Sequence, residues 1–335
     1  MKIAVAAIFC ISAVACFAED EFPVPTFENL KDWYTGYYED ARYLILQKEG
    51  ILEELEELHR NTDDWHIKVI CEAFIYRKRN PEKVTLLDRK WGIEFKAHRG
   101  HPEYGMVLLI HFGSETAPLV AEKILHTWRR ESAHSQSMAL LALSLMRYRF
   151  TPEILLKAVS DNRLQPEADR MALSIAKDCL DGFRALKFSV GRHTLEGDIM
   201  REVTRYMLPE ELRRFRNNGE ISVPALSIEG ERREKFVQGL LDLLDYGDTF
   251  RKANTIDALR DEPTPAVVEH LSDLLTLDRS PVVRARCAYA LRSLGTDEAL
   301  TAVEKARRTE KDPSVLSVLE RKNTPTEVPD EPQDD

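Results

Sequence analysis

The sequence predicts an all-α protein, a solenoid of stacked helix pairs, on three observations. The first is the segment Asp278 to Arg308. Ser280 is a good N-cap, because its hydroxyl can accept from a free backbone N–H. Pro281 follows at the first helical position, where its missing N–H costs nothing. Val283, Cys287, Ala290, Leu291 and Leu294 then share one helical face. Gly295 ends that helix and Thr296 caps a second, whose apolar face is Ala299, Leu300, Val303 and Ala306. The second observation is repetition. Ala258-Leu259-Arg260 returns as Ala290-Leu291-Arg292 at an offset of 32, and Ser280-Pro281 returns as Asp312-Pro313 at the same offset. One such pair leaves an apolar side uncovered, so a fixed period of this length marks stacked pairs. The third is composition. With 43% hydrophobic residues, 31% charged residues and only 14 glycines in 335, the chain suits a well-solvated helical protein.

Residues 1–18 read as a signal peptide. Lys2 is a minimal positive region, Ile3 to Phe17 is apolar but short for a bilayer, and Ala18 precedes Glu19-Asp20. A rival reading takes Ala13-Val14-Ala15-Cys16 as a lipoprotein box with Cys16 as the lipidated residue, although Leu is usual where Ala13 stands. Residues 19–63 read as an aromatic-rich helical cap, with Phe27, Trp33, Tyr34, Tyr37, Tyr38 and Tyr43, then the charged helix Ile51 to Leu58. That segment either covers the open end of the stack or presents an aromatic binding surface.

Residues 64–180 read as divergent repeats. Asp63-Asp64 start a helix from Trp65 to Arg79, with Ile67, Ile70, Cys71, Phe74 and Ile75 inward, and Asn80-Pro81 start its partner. Residues 91–102 read as a long loop. Ser114 caps a helix bearing Leu119, Val120, Ile124, Leu125 and Trp128, and Thr151-Pro152 open the second helix of the next unit. Ala142-Leu143-Ser144-Leu145 recurs as Ala172-Leu173-Ser174-Ile175. Residues 181–247 break the period and read as an irregular helical insertion or a degenerate repeat, with helices at Leu195 to Met207, Leu208 to Asn217 and Arg232 to Leu244, and a loop or short extended piece at Ile221 to Gly230. Residues 248–322 return to clear repeats, where Thr264-Pro265 open a helix with Val267, Val268, Leu271, Leu274 and Leu275 inward. The tail 323–335 is proline-rich and acidic, cannot bury a core, and reads as disordered.

The pattern Asp278, Val283-Arg284, Cys287-Ala288, Ala290-Leu291 and Gly295-Thr296-Asp297-Glu298-Ala299 resembles the bacterial HEAT-like repeat of the phycobilisome-lyase type. The resemblance covers 248–322 well, 64–180 loosely and 181–247 poorly. It implies a right-handed superhelical α-solenoid of the HEAT/armadillo kind, with small residues that let paired helices pack closely. Some proteins with these repeats act as lyases on a bilin chromophore, but no residue here carries that role.

A formal charge of −10 repels nucleic-acid phosphates, so nucleic acid is not an expected partner. Outside the leader, Cys71, Cys179 and Cys287 have no Cys-x-x-Cys spacing and read as small buried hydrophobes, with a disulfide or a reactive thiol as alternatives. His98, His101 and Glu103 carry metal-ligating groups, but Gly100 and Pro102 argue for a solvated loop, so no metal or cofactor is expected. Arg77-Lys78-Arg79, Arg129-Arg130, Arg213-Arg214-Arg216 and Arg232-Arg233 read mostly as late-helix cations complementing the dipole. No phosphate loop or nucleophile elbow occurs. The expected function is a non-catalytic protein–protein scaffold of the cell envelope, periplasmic or extracellular, binding a protein on its concave face. Trp128, Arg129 and Arg130 are the expected contacts, because Trp and Arg are enriched in hot spots. Membrane contact would come only through a lipid at Cys16. The alternative is an exported metal- or ligand-binding accessory protein, or a lyase-like enzyme.

Overall fold

The computed structural model describes residues 49–85, 113–126, 132–187 and 220–320. The chain folds as two compact units, Met1–Glu82 and Lys83–Asp335. The described residues are predominantly helical, as the sequence predicts.

In the first unit α1 (Ile51–Asn61) packs against α2 (Trp65–Arg79). Asp64 caps α2, its Oδ1 accepting from His66 N at 2.9 Å. Ile51, Leu55, Ile70, Cys71 and Phe74 form the core, with Leu58, Ile67 and Ile75 half-buried against it. Each large side chain buried there contributes about 1.5–3 kcal/mol. Glu72 meets His59 at 2.9 Å and Arg79 meets Glu56 at 2.5 Å along the seam. The expected boundary between 63 and 64 falls in the turn joining the two helices.

In the second unit, after residues 83–85, the described elements run from a 3-10 turn at Ser114–Thr116 and α3 (Ala117–His126). Then come α4 (Ala133–Leu145), α5 (Thr151–Ser160), α6 (Pro166–Asp181), strands β1 (Phe183–Lys187) and β2 (Glu220–Pro224), α7 (Gly230–Tyr246), α8 (Thr249–Leu259), α9 (Pro265–Leu277), α10 (Pro281–Leu294), α11 (Asp297–Thr309) and α12 (Pro313–Leu319). Helices α4, α6, α8, α10 and α12 each pack on the next and form one row. A second row lies beside it, with contacts from α3 to α5, from α5 to α7 and from α9 to α11. Successive helices alternate between rows, so each inner helix meets neighbours on several sides. That explains α4, where Met138 to Leu143 is buried without a polar face. Ala258-Leu259 and Ala290-Leu291, 32 residues apart, are buried at the C-terminal ends of the adjacent helices α8 and α10.

Several local expectations differ in detail. Ser280 is the N-cap of α10, but its hydroxyl makes no cap bond. The carboxylate of Asp278 accepts from Ser280 N at 2.8 Å instead. Ser114 opens a 3-10 turn rather than capping α3 directly, and Thr116 Oγ1 donates to Gly113 O at 2.8 Å. Leu300 is not a core residue of α11: it is 37% exposed, while Ala299, Val303 and Ala306 are buried. Of the two readings of the segment from Ile221, the short extended piece holds over its first residues. β2 pairs antiparallel with β1, from Phe183 opposite Pro224 to Lys187 opposite Glu220, the one sheet among the described residues. The helices expected at Leu195 to Met207 and Leu208 to Asn217 lie outside the described residues. Despite residues 183–229, α6 packs on α8 and α7 packs on α5. The extra segment therefore leaves and rejoins between two helices of the stack, and α7 keeps its place in the second row.

Candidate interaction surface

The first row is held by ion pairs that repeat with the chain. Lys252 on α8 reaches Asp278 Oδ2 at 2.9 Å. Arg284 on α10 donates to Glu310 at 2.8 and 3.1 Å. Both members of the second pair stand 32 residues after those of the first, so one interaction occurs twice. One step earlier, Arg251 donates to Asp169 Oδ2 at 3.2 Å from Nε and 2.7 Å from Nη2, and to Asn162 Oδ1 at 3.0 Å. Burial raises the carboxyl of Asp169 and outweighs the guanidinium beside it. Asp278 lies below the usual carboxylate range: burial pushes it up, but Lys252, the Ser280 N–H and Arg284 pull it further down. The hydrogen bond from Arg284 lowers Glu310 against its own burial.

Arg232 and Arg233 do not end a helix. They stand in the first turn of α7, where Arg232 meets Glu153 at 2.7 and 2.6 Å and Arg233 meets Glu262 at 2.5 Å. These cations join α7 to the turn after α8 and to α5. Arg77, Lys78 and Arg79 do occupy the last turn of α2.

What the stack leaves outward on α7 and α9 is acidic. Exposed on α7 and α9 are Glu231, Glu234, Asp242, Asp245, Glu269 and Asp273, against Lys235 as the exposed Lys or Arg. Along the same edge, two adjacent turns carry exposed apolar side chains. Tyr246 is 90% exposed and Phe250 76% at the α7–α8 turn; Leu277 is 78% exposed and Val282 53% at the α9–α10 turn. Lys252–Asp278 ties the start of α8 to the α9–α10 turn, and His270–Asp245, at 3.0 Å, joins the end of α7 to the middle of α9. Of the seven large exposed hydrophobic residues among the described residues, four belong to these two turns. The turns on either side are polar, with Asp161, Asn162 and Arg163 before and Glu310, Lys311 and Asp312 after. The sequence carried one sign of this patch, since Phe250 and Val282 are 32 residues apart. A shallow depression on α11, lined by Asp297, Leu300, Thr301, Glu304, Lys305 and Arg308, lies on a single helix and lacks a facing wall.

Cys71, Cys179 and Cys287 are buried free thiols, and burial pushes Cys71 and Cys179 up to about 12. Trp128, Arg129, Arg130, His98, His101, Glu103 and Cys16 lie outside the described residues. Among the described residues no group of His, Cys, Asp or Glu gathers to hold a metal ion. Also among them, no helix is long and apolar enough to cross a membrane. No family model, no curated protein and no solved structure matches this chain.

Proposed function

We propose that this protein is an exported, non-catalytic scaffold of the cell envelope that binds a protein partner along a right-handed, HEAT-like solenoid. The observation that carries this reading is the recurrence of Lys252–Asp278 as Arg284–Glu310 between stacked helices. Polar groups of the first row are spent on holding repeats together. Such stacks offer a long, shape-defined face, and the second row supplies the concave side. Trp128, Arg129 and Arg130 are the sequence's contact candidates for that face.

Cross-linking in intact cells, native purification and mass spectrometry test the reading, with the N-terminal mass read in the same run. A stoichiometric envelope protein, lost when Trp128, Arg129 and Arg130 become Ala, supports it. A bound metal or small molecule with no protein partner sinks it, and points to His98, His101 and Glu103.

A further inference from the structure

We propose that the paired turns Tyr246–Phe250 and Leu277–Val282, with the acidic faces of α7 and α9 beside them, form the docking surface for a short cationic segment of a partner protein that alternates Lys or Arg with large apolar residues. The proposal rests on the scaffold reading and narrows it to one surface and one ligand chemistry.

Four apolar side chains face solvent in two turns, and Lys252–Asp278 ties the start of α8 to the second of them while His270–Asp245 joins α7 to α9. Exposed apolar residues scattered singly need no explanation, but here four of the seven large exposed hydrophobic residues among the described residues gather in two turns flanked by polar ones, and such gathering marks an interaction site. Stacked helices lie about 8–10 Å apart, so two turns offer room for a few residues of a peptide rather than a whole domain face. Charge selects among occupants. The adjoining carboxylates of Asp242, Asp248 and Asp273, with Asp245 shared with His270, outnumber the exposed cations Arg279 and Arg286, and Arg286 meets Asp257 at 3.3 Å. Lys252 is spent on Asp278 and Arg251 on Asp169. Aromatic faces at Tyr246 and Phe250 add attraction for an ammonium or guanidinium. Acidic peptides, nucleic acid and anionic lipid are repelled by the same groups. The chain's own tail is repelled too, because residues 323–335 hold five acids and no Lys or Arg.

The test is a display selection of random short peptides against the full chain, repeated with F250S/L277S and with D242N/D245N/D273N. All these positions are exposed, and thermal melts check that each variant keeps its fold; Y246S replaces any that does not. Enriched peptides should carry Lys or Arg interleaved with Leu, Phe or Trp. Each variant should weaken them by at least about tenfold, and salt should weaken the wild-type complex as it screens the carboxylates. Enriched peptides that ignore both variants, or that are acidic, overturn this surface and leave the scaffold reading standing. No enrichment also overturns it; if cross-linking then finds no protein partner, the scaffold reading falls as well. A dimer seen by light scattering and dissolved by F250S/L277S would mean that a second copy covers the patch, which also overturns the proposal.

Discussion

Arg251 Nη2 donates to Asp169 Oδ2 at 2.7 Å and thereby ties α8 to α6 across a chain separation of 82 residues. Asp169 is buried, and its Oδ1 has no hydrogen-bond partner. The two ends of this pair are therefore unequal. Arg251→Ala strands a carboxylate in the core, a change that costs on the order of 3 kcal/mol or more. Asp169→Asn keeps the shape and removes the buried charge, so its cost should stay near 1 kcal/mol. Urea unfolding of the two variants measures the difference. Equal losses would mean that the pair, rather than the unpaired charge, sets the cost.

Acid should weaken the ion pairs of the C-terminal repeats. Asp278 and Glu310 both titrate below their ordinary range. In the unfolded chain they bind protons near pH 4, before the folded chain does. Their contribution is fully present above that pH and is lost as pH falls through the lowered folded values. Asp169, Asp178 and Asp257 are raised and have the opposite sign, so protonating them relieves a burial penalty. The effect is thus isolated by comparing wild type with D278N/E310Q. The gap in unfolding midpoint should be clear at pH 7 and shrink as pH falls below about 4.

The helix starts were legible because each is local. Thr264, Ser280 and Asp312 each precede a Pro at the first helical position, and α9, α10 and α12 begin there. The 32-residue offset likewise placed α8 beside α10. Other features depend on residues far along the chain. β1 pairs with β2 across residues 188–219, and a strand whose partner lies that far away leaves no short-range sign. The substitute for the Ser280 cap depends on Asp278, which Lys252 holds from another helix. Leu300 sits at the edge of the α11 stripe, and one helix's periodicity does not say where a neighbour's cover stops. The apolar turns are hidden in the sequence for the same reason. Tyr246 and Leu277 continue the apolar runs of α7 and α9, and only the packed stack shows that they project beyond it.

The three thiols should be silent in the folded protein. The thiolate is the reactive form, and burial holds Cys71 and Cys179 at about 12 while raising Cys287 as well. Alkylation at pH 8, mapped by peptide mass spectrometry, should be slower than for a free cysteine by roughly a thousandfold or more. In urea all three should react at ordinary rates. Fast labelling of any one in native buffer would show that its helix opens locally.

Gly182 and Gly295 end α6 and α10 with similar left-handed backbones, at φ 74° and φ 65°. Their surroundings differ. A Cβ on Gly182 would meet Ser227 Cβ at 3.3 Å, whereas one on Gly295 would find nothing closer than 3.9 Å. Gly182 O also accepts from Ala225 N at 3.1 Å, which anchors the return of the chain from β2. Gly295→Ala should lose only the left-handed backbone cost, about 1 kcal/mol. Gly182→Ala should lose that and more, because Ser227 must move and the bond to Ala225 moves with it. Thermal unfolding should rank G182A below G295A and both below wild type. The reverse order would mean that the β1–β2 connection bears little on the stability of the α6–α8 packing.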